Sequence, residues 1–292
     1  MLVGMKELLG MAERDNKAIG MFNTTGLDCI QAVIGAAEEL GEPVIIAHAE
    51  VHNVLNDIGL VGPAMIAAAK AAEVPVCVHL DHGESPEMIR RALDLGFTSI
   101  MIDASALPYD RNVQLTRQVV EKCHSLGVDV EAELGKLPSP EGGSTSGTSS
   151  RPSDFYTDAE EARQFVEATG IDALAIAFGT AHGFYKEKPV LDFDVIRRCR
   201  AATGLPLVMH GGSGVSPEDY VCAIDAGIRK INYYSYMSKA GFNAAKTLIE
   251  SGTTSYFHDA VHAAMLAMKE DVMRAIAIFR IQPPAEPRQC PA

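Results

Sequence analysis

The feature that most constrains this chain is a rhythm. Eight short apolar runs, Ile19–Asn23, Val44–Ala49, Val76–Asp81, Ser99–Asp103, Asp129–Leu134, Ala173–Gly179, Leu205–His210 and Lys230–Tyr234, alternate with Ala-rich or Leu-rich segments such as Leu27–Leu40, Pro63–Ala72, Pro86–Leu95 and Asp158–Thr169. Strands separated by helices form parallel sheets, and eight such units form a closed α/β barrel of the (β/α)8, or TIM, type. Helix-start signals support the pattern: Ser85-Pro86 and Ser216-Pro217 each place a capping hydroxyl before a proline at the first helical position. A doubly wound sheet competes, but it has no reason to stop at eight strands. The 292 residues suit one such domain over 1–292, since a barrel takes about 250.

One connection breaks the rhythm. After the fifth strand, the polar segment at about 136–156 includes "LPSPEGGSTSGTSSRPS" at 137–153, rich in Gly, Ser and Pro and without periodicity. A segment of that kind reads either as a mobile lid over a site or as a passive insertion.

Charge narrows the function classes. The formal net charge is −13, which excludes a general binder of nucleic acid or of anionic membranes, because both need a basic field. A small phosphorylated substrate stays open, since backbone N–H groups at helix starts can hold it. No apolar run reaches the roughly 18 residues of a membrane helix. The opening "MLVGMKELLGMAERDNKA" is broken by charges and has no cleavage site, so the expected location is the cytoplasm. The six cysteines form no CxxC pair and mostly sit in apolar runs, as reduced core thiols do.

The chemistry is expected where the strands end, because barrel enzymes carry their catalytic groups at that face. The third strand ends in Asp81-His82 and the fourth in Asp103. The fifth carries Glu133, and the sixth runs into His182-Gly183. The seventh ends in His210-Gly211-Gly212-Ser213-Gly214, and the eighth carries Asn232. Taken singly, a strand-end histidine is more often structural, Asp103 fits a helix cap and Glu133 a surface charge. Parallel strands, however, bring all of them to one mouth. His82, His182 and His210 there supply three nitrogen ligands to Zn²⁺ with one position open. His79 shares strand parity with Asp81 and reads as a neighbour, and His48, His52, His124, His258 and His262 read as structural.

Glycines beside two of these histidines allow inward-turned N–H groups that suit a phosphate. A metal, a phosphate pocket and a carboxylate point to carbanion chemistry beside a carbonyl, with Asp81 moving the proton of the reacting hydroxyl. A lysine imine is disfavoured: "ALAIAFG" in the sixth strand has no lysine, and Lys230 begins the eighth strand at the far end.

The segments "VHLDHGES", "SIMIDAS", "VEAELG", "YTDAEEARQFVEATGIDALAIAFGTAHGFY", "LPLVMHGGSGVSPED" and "GIRKIN" together resemble the class II, metal-dependent ketose-bisphosphate aldolases, in the tagatose- and fructose-bisphosphate branch. The resemblance covers nearly the whole chain. It implies reversible aldol cleavage of a ketose phosphate or bisphosphate to dihydroxyacetone phosphate and an aldehyde. By resemblance, His82, His182 and His210 bind zinc and Asp81 transfers the proton. Asp103 and Glu133 match acidic positions that hold a second, looser divalent metal or orient the first. Gly183, Gly211, Gly212, Ser213 and the run Asn232, Tyr233, Tyr234 and Ser235 match the dihydroxyacetone phosphate site, where a monovalent cation often assists. Glu141 falls near the family's loop glutamate, although Pro138-Ser139-Pro140 stands where the family has Gly-Gly. Homodimers or homotetramers are the family habit.

The clearest departure is "NYYS" at 232–235, where the family reads Asn-x-Ala-Thr or Asn-x-Asp-Thr. It implies a different aldehyde partner. Two other classes remain open: a metal-dependent sugar-phosphate isomerase or epimerase, which releases no triose phosphate, and a non-catalytic barrel subunit, which is expected to have lost its metal ligands.

Overall fold

A computed structural model describes residues 1–135, 156–185, 187–280 and 290. Its strands are β1 (Ile19–Asn23), β2 (Val44–Ala49), β3 (Val76–Gly83), β4 (Ser99–Ile102), β5 (Asp129–Leu134), β6 (Ala173–Ile176), β7 (Leu207–Met209) and β8 (Ile228–Asn232). They close in sequence order into one barrel, with every neighbour parallel. The expected (β/α)8 fold is therefore the observed one. The strand limits differ at the functional end. β3 runs two residues further than its apolar pattern suggests, while β6, β7 and β8 stop short, leaving His182, His210, Tyr233 and Tyr234 in loops.

The helices are α1 (Met5–Asp15), α2 (Leu27–Leu40), α3 (Ile58–Ala71), α4 (Pro86–Asp94), α5 (Tyr109–His124), α6 (Ala159–Thr169), α7 (Phe193–Thr203), α8 (Pro217–Ala226), α9 (Ser235–Glu250) and α10 (Phe257–Phe279). Caps start several of them: the Ser85 hydroxyl accepts from Met88 N–H, and Ser216 caps α8 in the same way. Each such bond satisfies a donor that the first helical turn leaves open.

Strand parity divides the core in two. On β5, Val130, Ala132 and Leu134 face the helices within the outer core, while Glu131 and Glu133 face the lumen. The lower lumen is apolar. Met21, Ile45, Ala47, Cys77, Ala173, Ala175 and Val208 fill it, and Met5, Leu8, Leu9 and Ala12 of α1 close it from below. Lys6 at that end pairs with Asp172 at 3.0 Å, and its N–H donates to Asp129.

Four cysteines, Cys29, Cys77, Cys123 and Cys199, are buried free thiols, as the sequence suggests. Cys222 and Cys290 are not: they form a disulfide across 68 residues. The apolar run around Cys222 concealed this, because the pairing depends on tertiary packing. Tyr220 on α8 meets Phe279 at the end of α10, ring centroids 5.0 Å apart, so the chain beyond α10 starts beside α8.

Denatured without reductant, the protein is expected to expose four titratable thiols, and six after reduction. Six in both cases would show that the bridge does not form.

Candidate active site

The β3 terminus explains how two consecutive side chains can serve one site. In a regular strand Asp81 and His82 would point to opposite faces. The β3–β4 register is in step at Leu80↔Ile100 and one residue out at Gly83↔Ile102, so β3 carries a bulge. His82 sits there at φ +45°, a left-handed conformation that costs energy in a residue with a Cβ. The bulge turns His82 back to the mouth, and both residues line the same cleft.

That cleft has a volume of about 640 Å³, within the usual range for small-molecule sites. Ligand-capable atoms of His82, His182 and His210 lie within 4.8 Å of one another, and those of His82, Asp103 and Glu133 form a second such group. The His210 ring centroid is 4.8 Å from that of His82 and 5.9 Å from that of His182. His82 Nδ1 donates to Asp103 Oδ2 at 2.6 Å, which frees Nε2. His82 Nε2 then lies 3.2 Å from His210 Nδ1, itself 3.2 Å from Glu133 Oε2.

Ring nitrogens and a carboxylate aimed at one point fit a divalent cation held by nitrogen and oxygen ligands. The carboxylates around this point draw positive charge to it. Burial opposes charge on the His82 imidazole, but Asp81 and Asp103 outweigh it and raise the ring to about 10. Burial holds His182 neutral, lowered to about 4, and raises the Glu133 carboxyl to about 7.

Asp81 is buried beside this group, its Oδ1 3.9 Å from His82 Nε2. Asn23 Nδ2 donates to Oδ2 at 2.9 Å, and Asn232 Nδ2 to Oδ1 at 3.3 Å. Burial works against ionisation here too, yet His82, His210 and Lys230 outweigh it and hold the carboxyl well below its ordinary value. The result is an ionised carboxylate held by two fixed donors at the edge of the cleft.

The opposite wall is backbone. Gly211 adopts φ +62°, and a Cβ there would lie 2.3 Å from Ala181 O, so this approach requires glycine. Tyr185 links the two loops: its hydroxyl accepts from Ala181 N–H at 2.9 Å and donates to Gly211 O at 2.8 Å. Gly212 N–H donates to Asn232 O at 3.1 Å, and Ser213 Oγ accepts from Tyr234 N–H at 3.0 Å. Gly183 and Ser235 border the same wall.

The two tyrosines of "NYYS" diverge. Tyr233 borders the cleft, but its phenol donates to Asp271 on α10 at 2.9 Å and its ring packs on Phe22 and Phe279. Tyr234 tilts against His52 on the far wall, centroids 4.8 Å apart. Nearby, Glu50 accepts from the N–H groups of Glu84 and Ser85 at 2.7 and 3.0 Å, at the start of α4.

Glu141 and the polar segment 137–153 lie outside the described residues. Sequence reading missed Asn23, although it is the last residue of β1 at the same mouth. It also missed Glu131, two residues before Glu133 on the inward face. Lys230, which the sequence puts at the far end of β8, lies one inward position below Asn232, fully buried and ion-paired with Glu131 Oε2 at 2.8 Å. Among the described residues lining the cleft, no lysine stands free to form an imine.

Residues 3–282 match the family model described as fructose-bisphosphate aldolase class-II. Among curated proteins, the fructose-bisphosphate aldolase of Geobacillus stearothermophilus is 41% identical over 264 residues, covering 87% of this chain and 88% of that one. The crystal structure of the YdjI aldolase from Escherichia coli K12 superimposes with a TM-score of 0.84 at 37% identity, covering 96% and 97% of the two chains. A putative fructose-1,6-bisphosphate aldolase from Coccidioides immitis gives 0.81 at 32% identity, covering 94% and 95%.

Metal-stripped protein is expected to take up one tightly held Zn²⁺ per chain, and His82→Ala to lose it, both read by elemental analysis after dialysis. Wild-type stoichiometry in His82→Ala would remove His82 from the ligand set.

Proposed function

Because the chain belongs to the class II fructose-bisphosphate aldolase family, and so is a metal-dependent aldehyde-lyase, we propose that its cleft cleaves a ketose 1-phosphate whose aldehyde half carries no second phosphate. The observation that supports the catalytic reading is the convergence of His82, His182 and His210 beside a buried Asp81 held by two asparagine amides. In this reading the three histidines hold zinc, which supplies Lewis-acid polarisation of the donor carbonyl. Asp103 orients His82 through Nδ1, and Glu133 stands beside His210 as a reserve ligand or second-metal carboxylate.

Asp81 takes the proton from the hydroxyl next to the scissile bond. That bond breaks, the aldehyde leaves, and Asp81 returns the proton in the condensation direction. Asn23 and Asn232 keep its oxygens aimed during the transfer. The dihydroxyacetone phosphate half lies against Gly183, Gly211 and Ser213, with Ser235 offering a hydroxyl. Gly212, expected in this set, does not line the cleft, since its N–H is taken by Asn232 O and its carbonyl by the Tyr220 hydroxyl. Glu141 is proposed for proton exchange at the donor carbon.

The acceptor side favours an uncharged aldehyde. Among the described residues lining the cleft none is Lys or Arg, whereas Glu84 and His52 stand on that wall with Tyr234. The N–H groups of Glu84 and Ser85, which offer an anion position at the start of α4, are already taken by Glu50. An acceptor phosphate would face carboxylates and displace one of them. Exposed Phe242 and Ile249 on α9 and Phe257 and Leu266 on α10 support self-association into a dimer or tetramer. Among the described residues no helix is long and apolar enough to cross a membrane.

Asp81→Ala is expected to keep its zinc and lose about 10²–10⁴-fold in turnover; near wild-type cleavage would make Asp81 structural. Across a panel of ketose 1-phosphates and fructose 1,6-bisphosphate, with triose-phosphate release coupled to NADH, a monophosphate should be the better substrate. A kcat/KM for the bisphosphate of about 10⁴ M⁻¹s⁻¹ or more would refute the acceptor proposal. Interconversion of ketoses without triose release would instead favour an isomerase.

A further inference from the structure

Beneath the cleft lies a layer of charge that the reaction described above does not use. Glu131, Lys230, His79 and Ser99 are fully buried in the lumen, between the apolar lower core and the metal-binding group. Lys230 Nζ pairs with Glu131 Oε2 at 2.8 Å and also donates to Oε1 at 3.2 Å. Its remaining bond goes upward, to Asn232 Oδ1 at 2.8 Å. Glu131 Oε1 in turn accepts from His210 Nε2 at 2.9 Å. His79 flanks the pair, with Nδ1 on Ser99 Oγ at 2.8 Å and Nε2 4.0 Å from Glu131 Oε2.

An isolated carboxylate or ammonium at this depth would be strongly destabilising, and the pair is tolerated because each charge meets the other and both are hydrogen-bonded. A hydrophobic pair of similar volume would fill the lumen as well, so packing alone does not account for it. Its position does. A carboxylate can only accept from a histidine ring, and of the two carboxylates beside His210 only Glu131 is hydrogen-bonded to it, since Glu133 Oε2 lies 3.2 Å from Nδ1 but makes no hydrogen bond. Glu131 therefore keeps the His210 proton on Nε2 and leaves the Nδ1 lone pair facing His82 Nε2, 3.2 Å away. Lys230 fixes Glu131 in turn. By occupying Asn232 Oδ1, it also directs the Asn232 NH₂ group to Asp81.

We propose that Glu131, anchored by Lys230, is a positioning residue that sets the tautomer and ring orientation of His210 as a metal ligand. The inference rests on the metal reading of the site. Carboxylate partners of metal-bound histidines contribute about 10–100-fold in metal affinity or activity, and Glu131 belongs to that class although it lies outside the cleft.

The test uses full-length, metal-stripped protein. Zn²⁺ affinity is measured by competition with a chromophoric chelator, and the Co²⁺-substituted form is followed by its visible d–d absorption. Two variants are compared with wild type: Glu131→Gln, and Glu131→Asp, which keeps the charge beside Lys230 while shortening the reach to His210. The double change Glu131→Gln with Lys230→Met, which buries no net charge, replaces any single variant that does not fold. Zn²⁺ affinity about 10–100-fold weaker, with a shifted Co²⁺ spectrum in folded protein, is the expected result. Wild-type affinity and an unchanged spectrum in a folded variant would overturn the assignment. Failure of wild-type protein itself to bind Zn²⁺ would overturn the metal reading together with it.

Discussion

Closure of eight parallel strands fixes where every inward side chain must go. In an open sheet a strand-end histidine faces one or two neighbours, whereas in this closed barrel it faces the ends of strands far away in sequence. His82 and His210 are 128 residues apart and their ring nitrogens approach to 3.2 Å. No local propensity brings them together. The hydrogen-bonded ladder does so by sending every strand the same way and alternating its side chains between lumen and helices.

The lumen is graded along the barrel axis. Its lower end is apolar and closed by α1, its middle holds the Glu131–Lys230 pair, and its upper end carries carboxylates and imidazoles around a cleft. The gradient follows from solvation. Charges near the mouth keep some water or gain a cation, while a charge at mid-height must be matched by a protein partner. Lowering a charged group by one inward position, about two residues along a strand, therefore changes its required partner from solvent or metal to a buried counter-ion.

Legibility in the sequence followed the same division. The eight-strand rhythm was readable because β-branched runs and capped helices are local patterns. Asp81, His82, His182 and His210 were readable as candidates because unusual residues at strand ends stand out against apolar strands. Glu131 and Lys230 were not, since a charge inside a strand reads as a solvent-facing position until closure turns it inward. Asn23 gave only its place at the end of β1. The β3 bulge left no composition signal, because His82 holds a left-handed conformation without being glycine. The Cys222–Cys290 bridge was hidden for a related reason: a cysteine in an apolar run looks the same whether or not a distant thiol reaches it.

The Tyr185 hydroxyl, shared between Ala181 N–H and Gly211 O, has a consequence for how this scaffold can diversify. The loops after β6 and β7 are separate in sequence but mechanically one piece, joined by a single phenolic oxygen and pressed so close that Gly211 has no room for a side chain. A new loop grafted after β6 without its tyrosine would leave Gly211 O seeking another donor, and a bulkier loop after β7 would push Ala181 away. The two segments are expected to be inherited and recombined together, as a paired cassette. Variation in substrate choice falls more easily on the side chains of the wall around Glu50, His52 and Tyr234, because the tie of Tyr234 to the loop after β7 runs through its backbone N–H to Ser213 Oγ.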